Sequence, residues 1–82
     1  MGNKFIKKLW AESSIVFYIH FQDGVAIRQI EISEQGPKYL SASNPIEGDS
    51  MLYDQSLDEL ELLTSDFITE QEFELVWKLK CG

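Results

Sequence analysis

Alternating side chains over residues 15–22 constrain the fold more than any other feature of this sequence. The segment IVFYIHFQ carries isoleucine or phenylalanine at every second position. A period of two in such residues is typical of a strand with one face on a hydrophobic core. Asp23 and Gly24 follow directly, and this pair favours a tight hairpin turn because a positive φ costs little there. The sequence therefore predicts a central strand that folds straight back on itself.

The return strand contains an irregularity in the same alternation. Val25 and Ile27 are in one phase, whereas Ile30 and Ile32 are in the other. A slip of this kind usually marks a β-bulge, where one strand holds an extra residue. We therefore predict a bulge near residues 28–29.

Two shorter patterns predict the remaining strands. Residues 34–37 form a second turn, and Pro37 suits the start of a strand over residues 39–42 because it cannot donate to a ladder. Residues 4–12 also alternate, but both faces are mixed and three lysines interrupt them. Lysines at such positions are typical of an edge strand, where they discourage pairing with other chains.

The second half of the chain predicts a loop followed by helices. Residues 44–55 combine Asn-Pro, Glu-Gly and Asp-Ser pairs, which are typical of loops. Ser56 and Thr69 each begin a capping box, in which a hydroxyl accepts from an unpaired helix N–H and an acid three residues on reaches back. A helix beginning at Thr69 has an apolar arc of roughly 200° around Phe73, enough to cover a sheet.

These elements predict an α+β domain over residues 1–82. It consists of an antiparallel sheet of about four strands over residues 4–43 and a loop over residues 44–55. Two C-terminal helices over residues 56–80 are predicted to pack on one face of the sheet.

Acidic residues are concentrated in the second half of the chain. Residues 44–77 hold ten Asp and Glu residues and no Lys or Arg, and the whole chain has a net charge of −7. Phosphate binding requires clustered basic residues, so we predict no nucleic-acid partner. The same charge favours a basic protein as the partner.

Part of this acidity has a local explanation. Acids at helix starts are stabilised by the macrodipole and by capping, which accounts for Asp58, Glu59, Glu70 and Glu72 without a partner. The other acids have no bases among them, and this predicts a shared acidic surface, because solvated faces normally mix both signs. The predicted binding residues are six acids and one aromatic anchor: Glu47, Asp49, Asp54, Asp58, Glu61, Asp66 and Tyr53.

From these features we predict a small acidic protein-binding domain. It would be an inhibitor or immunity-type protein that occludes a basic surface of a partner such as a nuclease. Its acids would steer the encounter, and burial of an aromatic anchor would follow. The alternative is a structural or adaptor domain, for instance a homodimer formed through an edge strand, whose charge only maintains solubility. Both predictions are compatible with a monomer or a weak homodimer.

The sequence contains no motif that predicts catalysis, a metal or a cofactor. His20 and Cys81 are the only histidine and cysteine, so no zinc cluster or Cys-His dyad is predicted. An ordinary half-exposed position on the sheet is predicted for His20. Glycine-rich phosphate loops and nucleophile elbows are missing, and we predict no enzyme activity. The first residues lack the apolar run of an export signal, which predicts a cytoplasmic protein without a membrane partner.

Three blocks of the sequence resemble a small bacterial family of uncharacterised domains. They are Trp10 in the first strand, the segment RQIEI at residues 28–32, and the segment DFITEQEFELVW at residues 66–77. The last block is the most specific part of the pattern. The resemblance covers most of the chain and implies an association with toxin immunity.

Overall fold

The computed structural model describes residues 2–11, 14–34, 36–47, 50–53, 56–59 and 63–78. The elements are, in chain order, β1 Asn3–Trp10, β2 Ile15–Gln22, β3 Val25–Ser33, β4 Gly36–Ser41, β5 Ile46–Glu47, β6 Ser50–Met51, β7 Phe67–Ile68 and α1 Glu70–Trp77. Two 3-10 turns, Leu57–Glu59 and Thr64–Asp66, lie between β6 and β7. The main sheet has five strands in the order β4-β3-β2-β1-β7, and every neighbouring pair is antiparallel.

A two-residue turn joins β2 to β3 at the centre of the sheet. Gln22 pairs with Val25, so only Asp23 and Gly24 lie between the strands. Their φ angles are 54° and 85°, in the left-handed region that a type I′ turn requires at both central positions. The predicted central strand and its tight turn are therefore confirmed.

The register between β2 and β3 shifts by one residue close to this turn. His20 pairs with Arg28, whereas the next residue, Phe21, pairs with Ala26. Ile27 is therefore the extra residue on β3, one position before the predicted slip. A bulge changes the phase of a strand, so the apolar residues on both sides of it can face a covered surface.

The sheet buries side chains on both of its faces, and each face is covered by a different part of the chain. On one side, here called the helix face, Phe5 and Ile30 pack with Phe73 of α1. The opposite side is here called the loop face, because Leu52, Tyr53 and Leu57 cover part of it. The loop-face core consists of Ile6, Ile19, Phe21 and Ala26, and Leu52, Tyr53 and Leu57 pack against it.

The predicted fold class is wrong: the main sheet has five strands where about four were predicted, and the described chain has one short α-helix where two were predicted. The expected first helix begins as a 3-10 turn, Leu57–Glu59, and residues 60–62 lie outside the described residues. Ser56 forms a β-bridge with Val25, and the Leu57 N–H donates to the Gly24 carbonyl at 2.9 Å. The Glu59 N–H, which the capping box would pair with the Ser56 hydroxyl, donates to the Ser56 carbonyl at 3.1 Å, the three-residue bond of a 3-10 turn.

The fifth strand lies in a stretch where helix was predicted. Phe67 and Ile68 form β7 and pair with Ile6 and Phe5 at one edge of the sheet. Thr69 follows in an extended conformation, with φ −84° and ψ 159°, as the N-cap of α1. An N-cap residue adopts such angles before a helix begins, so the strand leads directly into the helix.

The predicted second helix is confirmed over Glu70–Trp77, whereas residues 79 and 80 of its predicted range lie outside the described residues. The Thr69 hydroxyl accepts a hydrogen bond from the Glu72 N–H at 3.1 Å. Phe73 is fully buried against the sheet, whereas Leu75 at the edge of the apolar arc is 59% exposed. One side of the helix therefore meets the sheet, and the edge of the arc stays in contact with solvent.

Candidate functional site

An apolar cleft of about 260 Å³ opens on the loop face. It lies over β1, β2 and β3, and neither Leu52 nor Leu57 is among the residues that line it. Its apolar walls are formed by Ile6, Trp10, Phe17, Ile19, Met51 and Tyr53.

The cleft results from the period of two in the strands. Trp10 and Phe17 both project from the loop face, and their rings meet edge to face with centroids 6.0 Å apart. Met51 forms the facing wall from β6. Trp10 is 47% exposed and Met51 58% exposed, so two of the largest apolar side chains at this site are in contact with solvent.

Gln29 bonds residues 51–53, here called the covering segment, to the sheet beneath this cleft. Its amide nitrogen donates to Glu31 Oε2 at 2.8 Å and to the Met51 carbonyl at 3.3 Å. Its amide oxygen accepts from the Tyr53 N–H at 2.8 Å. Gln29 is therefore buried with both ends of its amide bonded. Among the described residues, no buried side-chain nitrogen or oxygen lacks a hydrogen-bond partner, so the cleft offers a ligand no unpaired buried polar atom.

Charged side chains border the cleft. Lys8 and Glu31 line it, and the Lys8 ammonium lies 3.7 Å from Asp66 Oδ2. Asp66 Oδ2 also accepts from the Leu63 N–H at 2.9 Å, which closes the second 3-10 turn. Asp66, one of the predicted binding residues, thus caps its own turn and lies beside Lys8 of β1.

The structure brings Tyr53 to the cleft, as an edge-to-face neighbour of Phe21 at 6.0 Å. Tyr53 is half-buried, so it acts as a wall of the site. Of the other predicted binding residues, Glu47 falls in β5 and Asp58 in the first 3-10 turn, where only the main chain is described. Asp49, Asp54 and Glu61 lie outside the described residues.

A chain of polar side chains crosses the helix face, on the opposite side of the sheet. His20 Nε2 lies 2.9 Å from Asn3 Oδ1, and the Arg28 Nε–H donates to His20 Nδ1 at 3.0 Å. The same guanidinium donates to both carboxylate oxygens of Glu74 on α1. It also lies 4.8 Å from the centre of the Phe73 ring. This arrangement connects β1, β2 and β3 to the helix.

The hydrogen bonds determine the protonation of His20. Because Nδ1 accepts from Arg28, the ring proton is assigned to Nε2, where it donates to Asn3 Oδ1. Burial, and then the nearby Arg28 charge, lower the pKa of His20 below its ordinary value of 6.5. The hydrogen bond from Arg28 is the main cause that lowers the pKa of Glu74. The chain of residues is therefore a neutral histidine beside a closed ion pair.

Sequence reasoning missed both the cluster and the cleft. His20 was predicted to be half-exposed, but it is only 7% exposed, with its ring stacked 4.3 Å from that of Phe5. The clue in the sequence was the phase of β2, which puts His20 and Tyr18 on one face. The cleft had no signal of its own, because its walls come from strands and a loop that are distant in sequence.

No family model matches this chain, and no curated protein or solved structure is found to be similar to it. The family resemblance therefore stays a prediction. In the part of the chain that the structure describes, no three His, Cys, Asp or Glu side chains are grouped to hold a metal ion. None of the described helices is long and apolar enough to cross a membrane.

Proposed function

We propose that this chain is a small cytoplasmic protein-binding domain of the inhibitor or immunity type, which occludes a basic surface of a partner such as a nuclease toxin. One observation carries the proposal. Residues 44–66, here called the acidic segment, hold seven acids and no base, and they also supply Met51 and Tyr53 to the cleft. One stretch of chain thus combines charges that attract a basic surface with an apolar site that can hold it.

Long-range attraction supports this function. A net charge of −7 on 82 residues speeds encounter with a basic protein and disfavours acidic ones. The attraction between exposed charges is screened over about 8 Å at physiological ionic strength, so binding should weaken as salt is added. Complementary charge of this kind acts mainly on the association rate, whereas apolar contacts determine how long the complex lasts.

The experiment compares two variants of equal charge. In the first, Glu47, Asp54 and Asp58 of the acidic segment are changed to Gln or Asn. In the second, the matched control, the same amide changes are made at three exposed acids elsewhere: Glu34, Glu70 and Glu72. A partner is isolated from native lysate at low salt and eluted in salt steps. Its association rate with each variant is then measured at two salt concentrations.

We expect the acidic-segment variant to associate about tenfold more slowly and with a weaker salt dependence, as loss of steering charges requires. The control should behave as the wild type. Equal slowing of both variants would mean that only total charge matters, and the proposal would fail.

One observation favours a second candidate, an adaptor that forms a homodimer. The pairing of β1 with β7 includes only Phe5 and Ile6, so in the described chain residues 7–10 have no strand on that side. Leu9 is 63% exposed in this stretch. However, Lys7 and Lys8 on this edge of β1 discourage pairing with the strand of another chain. In addition, two copies of the chain repel each other, because each has a net charge of −7. Sedimentation velocity at rising protein concentration tests this candidate: a stable dimer at low micromolar concentration would favour it, and a monomer would contradict a homodimer formed through this edge.

A further inference from the structure

We propose that the cleft on the loop face is a receptor for one apolar side chain, aromatic or branched aliphatic, that a basic partner presents between lysines or arginines. This inference rests on the proposed function and adds what the partner must carry at the centre of the contact.

The volume of the cleft suits a single amino-acid side chain better than a cofactor or a drug-sized ligand. Pockets for cofactors and drug-sized ligands usually have volumes of about 300–1,000 Å³. An apolar cavity of about 150 Å³ is enough to hold benzene. At about 260 Å³, the cleft accommodates a phenyl, indole or leucyl group.

The chemistry of the walls selects an apolar group. Trp10, Phe17 and Met51 offer ring faces, ring edges and a thioether, all of which favour aromatic and aliphatic contacts. Gln29, the buried polar side chain among the described residues that line the cleft, already has both ends of its amide bonded within the protein. A polar group placed against these apolar walls would lose its water without gaining a partner from them, and this costs free energy.

The charged residues around the cleft favour a partner in which basic residues flank the apolar side chain. Glu31 and Lys8 both line the cleft, and the Lys8 ammonium lies 3.7 Å from Asp66 Oδ2, so these two acids and one base leave an excess of negative charge at the site. A partner that buries its anchor here therefore brings its flanking residues towards negative charge. Binding energy in protein contacts concentrates in such central apolar anchors, with charges arranged around them. A second copy of this chain is the poorer occupant, because it brings its own net charge of −7.

The test uses two synthetic peptides and the two tryptophans of the chain as reporters. The peptides are acetyl-Lys-Lys-Phe-Lys-Lys-amide and its analogue with serine in place of phenylalanine. Each is titrated into ¹⁵N-labelled protein, and the two indole N–H signals are followed by NMR. Trp10 forms a wall of the cleft, whereas Trp77 packs on Phe73 at the helix face and is the internal control.

We expect the phenylalanine peptide to shift the Trp10 indole signal and leave that of Trp77 in place. It should bind at least about tenfold more tightly than the serine peptide, as burial of a phenyl group implies. Trp10→Ala should abolish this difference between the peptides, measured in this variant from the backbone amide signals of the same ¹⁵N-labelled protein. Leu9→Ala is the matched control, because Leu9 is the exposed neighbour on the opposite face of β1, and it should preserve the difference.

Other outcomes separate this inference from the proposed function. If both peptides bind equally and weaken together with salt, the cleft inference is overturned while the electrostatic proposal stands. Binding of the phenylalanine peptide alone, with no salt dependence, supports the cleft and contradicts the electrostatic proposal. If the Trp10 signal moves with protein concentration without any peptide, a second copy occupies the cleft and the inferred partner is wrong. Binding of neither peptide overturns the inference.

Discussion

Arg28 and Glu74 are 46 residues apart in sequence and form a two-point ion pair between β3 and α1. Nη2 lies 2.7 Å from Oε2, and Nη1 lies 3.2 Å from Oε1. The paired, planar geometry gives direction as well as attraction, and only arginine can provide it. The pair therefore sets the position of the helix along the sheet.

Breaking this pair should weaken the packing of the helix on the sheet. Because both side chains are partly exposed, we expect Glu74→Gln to lower the free energy of unfolding by only about 1 kcal/mol. Arg28→Lys should lose a similar amount, since lysine keeps the charge but loses the two-point contact and the flat stacking on Phe73. Urea denaturation measures both variants. A double variant should lose less than the two single losses added together, because the residues share one interaction. Full additivity would contradict the pairing.

Protonation of His20 should destabilise the fold in mildly acidic solution. Its pKa in the folded protein is lowered from 6.5, so the unfolded chain takes up the proton first as the pH falls. Stability is therefore complete above about pH 6.5 and falls below it, until the folded pKa is passed. Urea denaturation at stepped pH measures the slope. Since His20 is the only histidine, His20→Gln should flatten the slope that begins as the pH falls below about 6.5. An unchanged slope would show that another group titrates.

Glu74 should add a second acid-sensitive step. Its pKa is lowered from 4.5, so its contribution is present above that pH and is lost as the pH falls through the folded pKa. Glu74→Gln should remove this step while retaining the one from His20. The matched control is Glu72→Gln, an exposed residue two positions away, which should leave the step in place. Both steps act in the same direction, so stability should rise with pH throughout the acidic range.

Removing the central aromatic ring of the helix should cost far more than removing an exposed neighbour. Phe73 is fully buried and contacts the rings of Phe5, His20 and Trp77. We expect Phe73→Ala to lower the free energy of unfolding by about 3–5 kcal/mol. Small domains have total stabilities near the lower end of about 5–15 kcal/mol, so much of the protein should unfold. Phe73→Leu should retain the fold with a smaller loss.

Leu75→Ala is the control for this prediction. Leu75 lies two residues away and is 59% exposed, so its change should stay within about 0.5 kcal/mol. Thermal unfolding followed by circular dichroism compares the three variants. Similar losses for Phe73→Ala and Leu75→Ala would contradict the packing of α1.

Substitutions at Gly24 should lower the free energy of unfolding through backbone strain alone, without a steric clash. An added Cβ at Gly24 would meet no atom within 4 Å, but φ is +85°. Gly24→Ala should therefore lose about 1–2 kcal/mol through its left-handed conformation. Gly24→Asn should lose less, since asparagine tolerates this region better. Urea denaturation measures both, and equal losses would point to a cause other than φ.

Sequence patterns predicted the elements whose signals are local. The β2–β3 hairpin follows from alternation and one turn pair, and α1 follows from Thr69 and the apolar arc. By contrast, β7 has two residues, too few for any period to be visible. Ser56 matches the capping pattern, but the chain there forms a 3-10 turn in which the Glu59 N–H donates to the Ser56 carbonyl. Its pairing with Val25 and Gly24 is a contact between distant parts of the chain, which a local pattern does not contain.

The candidate site was less predictable than the fold. Charge along the chain identified the acidic segment, because net charge is a property of sequence alone. The cleft depends on which part of the loop face the covering segment reaches, and the helix-face cluster depends on a contact between Arg28 and Glu74. Contacts between residues that are far apart in sequence produce no periodic or local pattern, so the sequence alone did not predict them.

Arg28 and Gln29 are consecutive residues of β3 that point to opposite faces, one fastening the helix and the other the covering segment. A slip of β3 by one residue would send each side chain to the wrong face. The contacts that hold α1 on one face and the covering segment on the other would then be lost together. A charged guanidinium would also enter the loop-face core. Misregistered copies of this chain would therefore lose both layers at once, so the contacts of this dipeptide favour the native register of β3 over a register shifted by one residue.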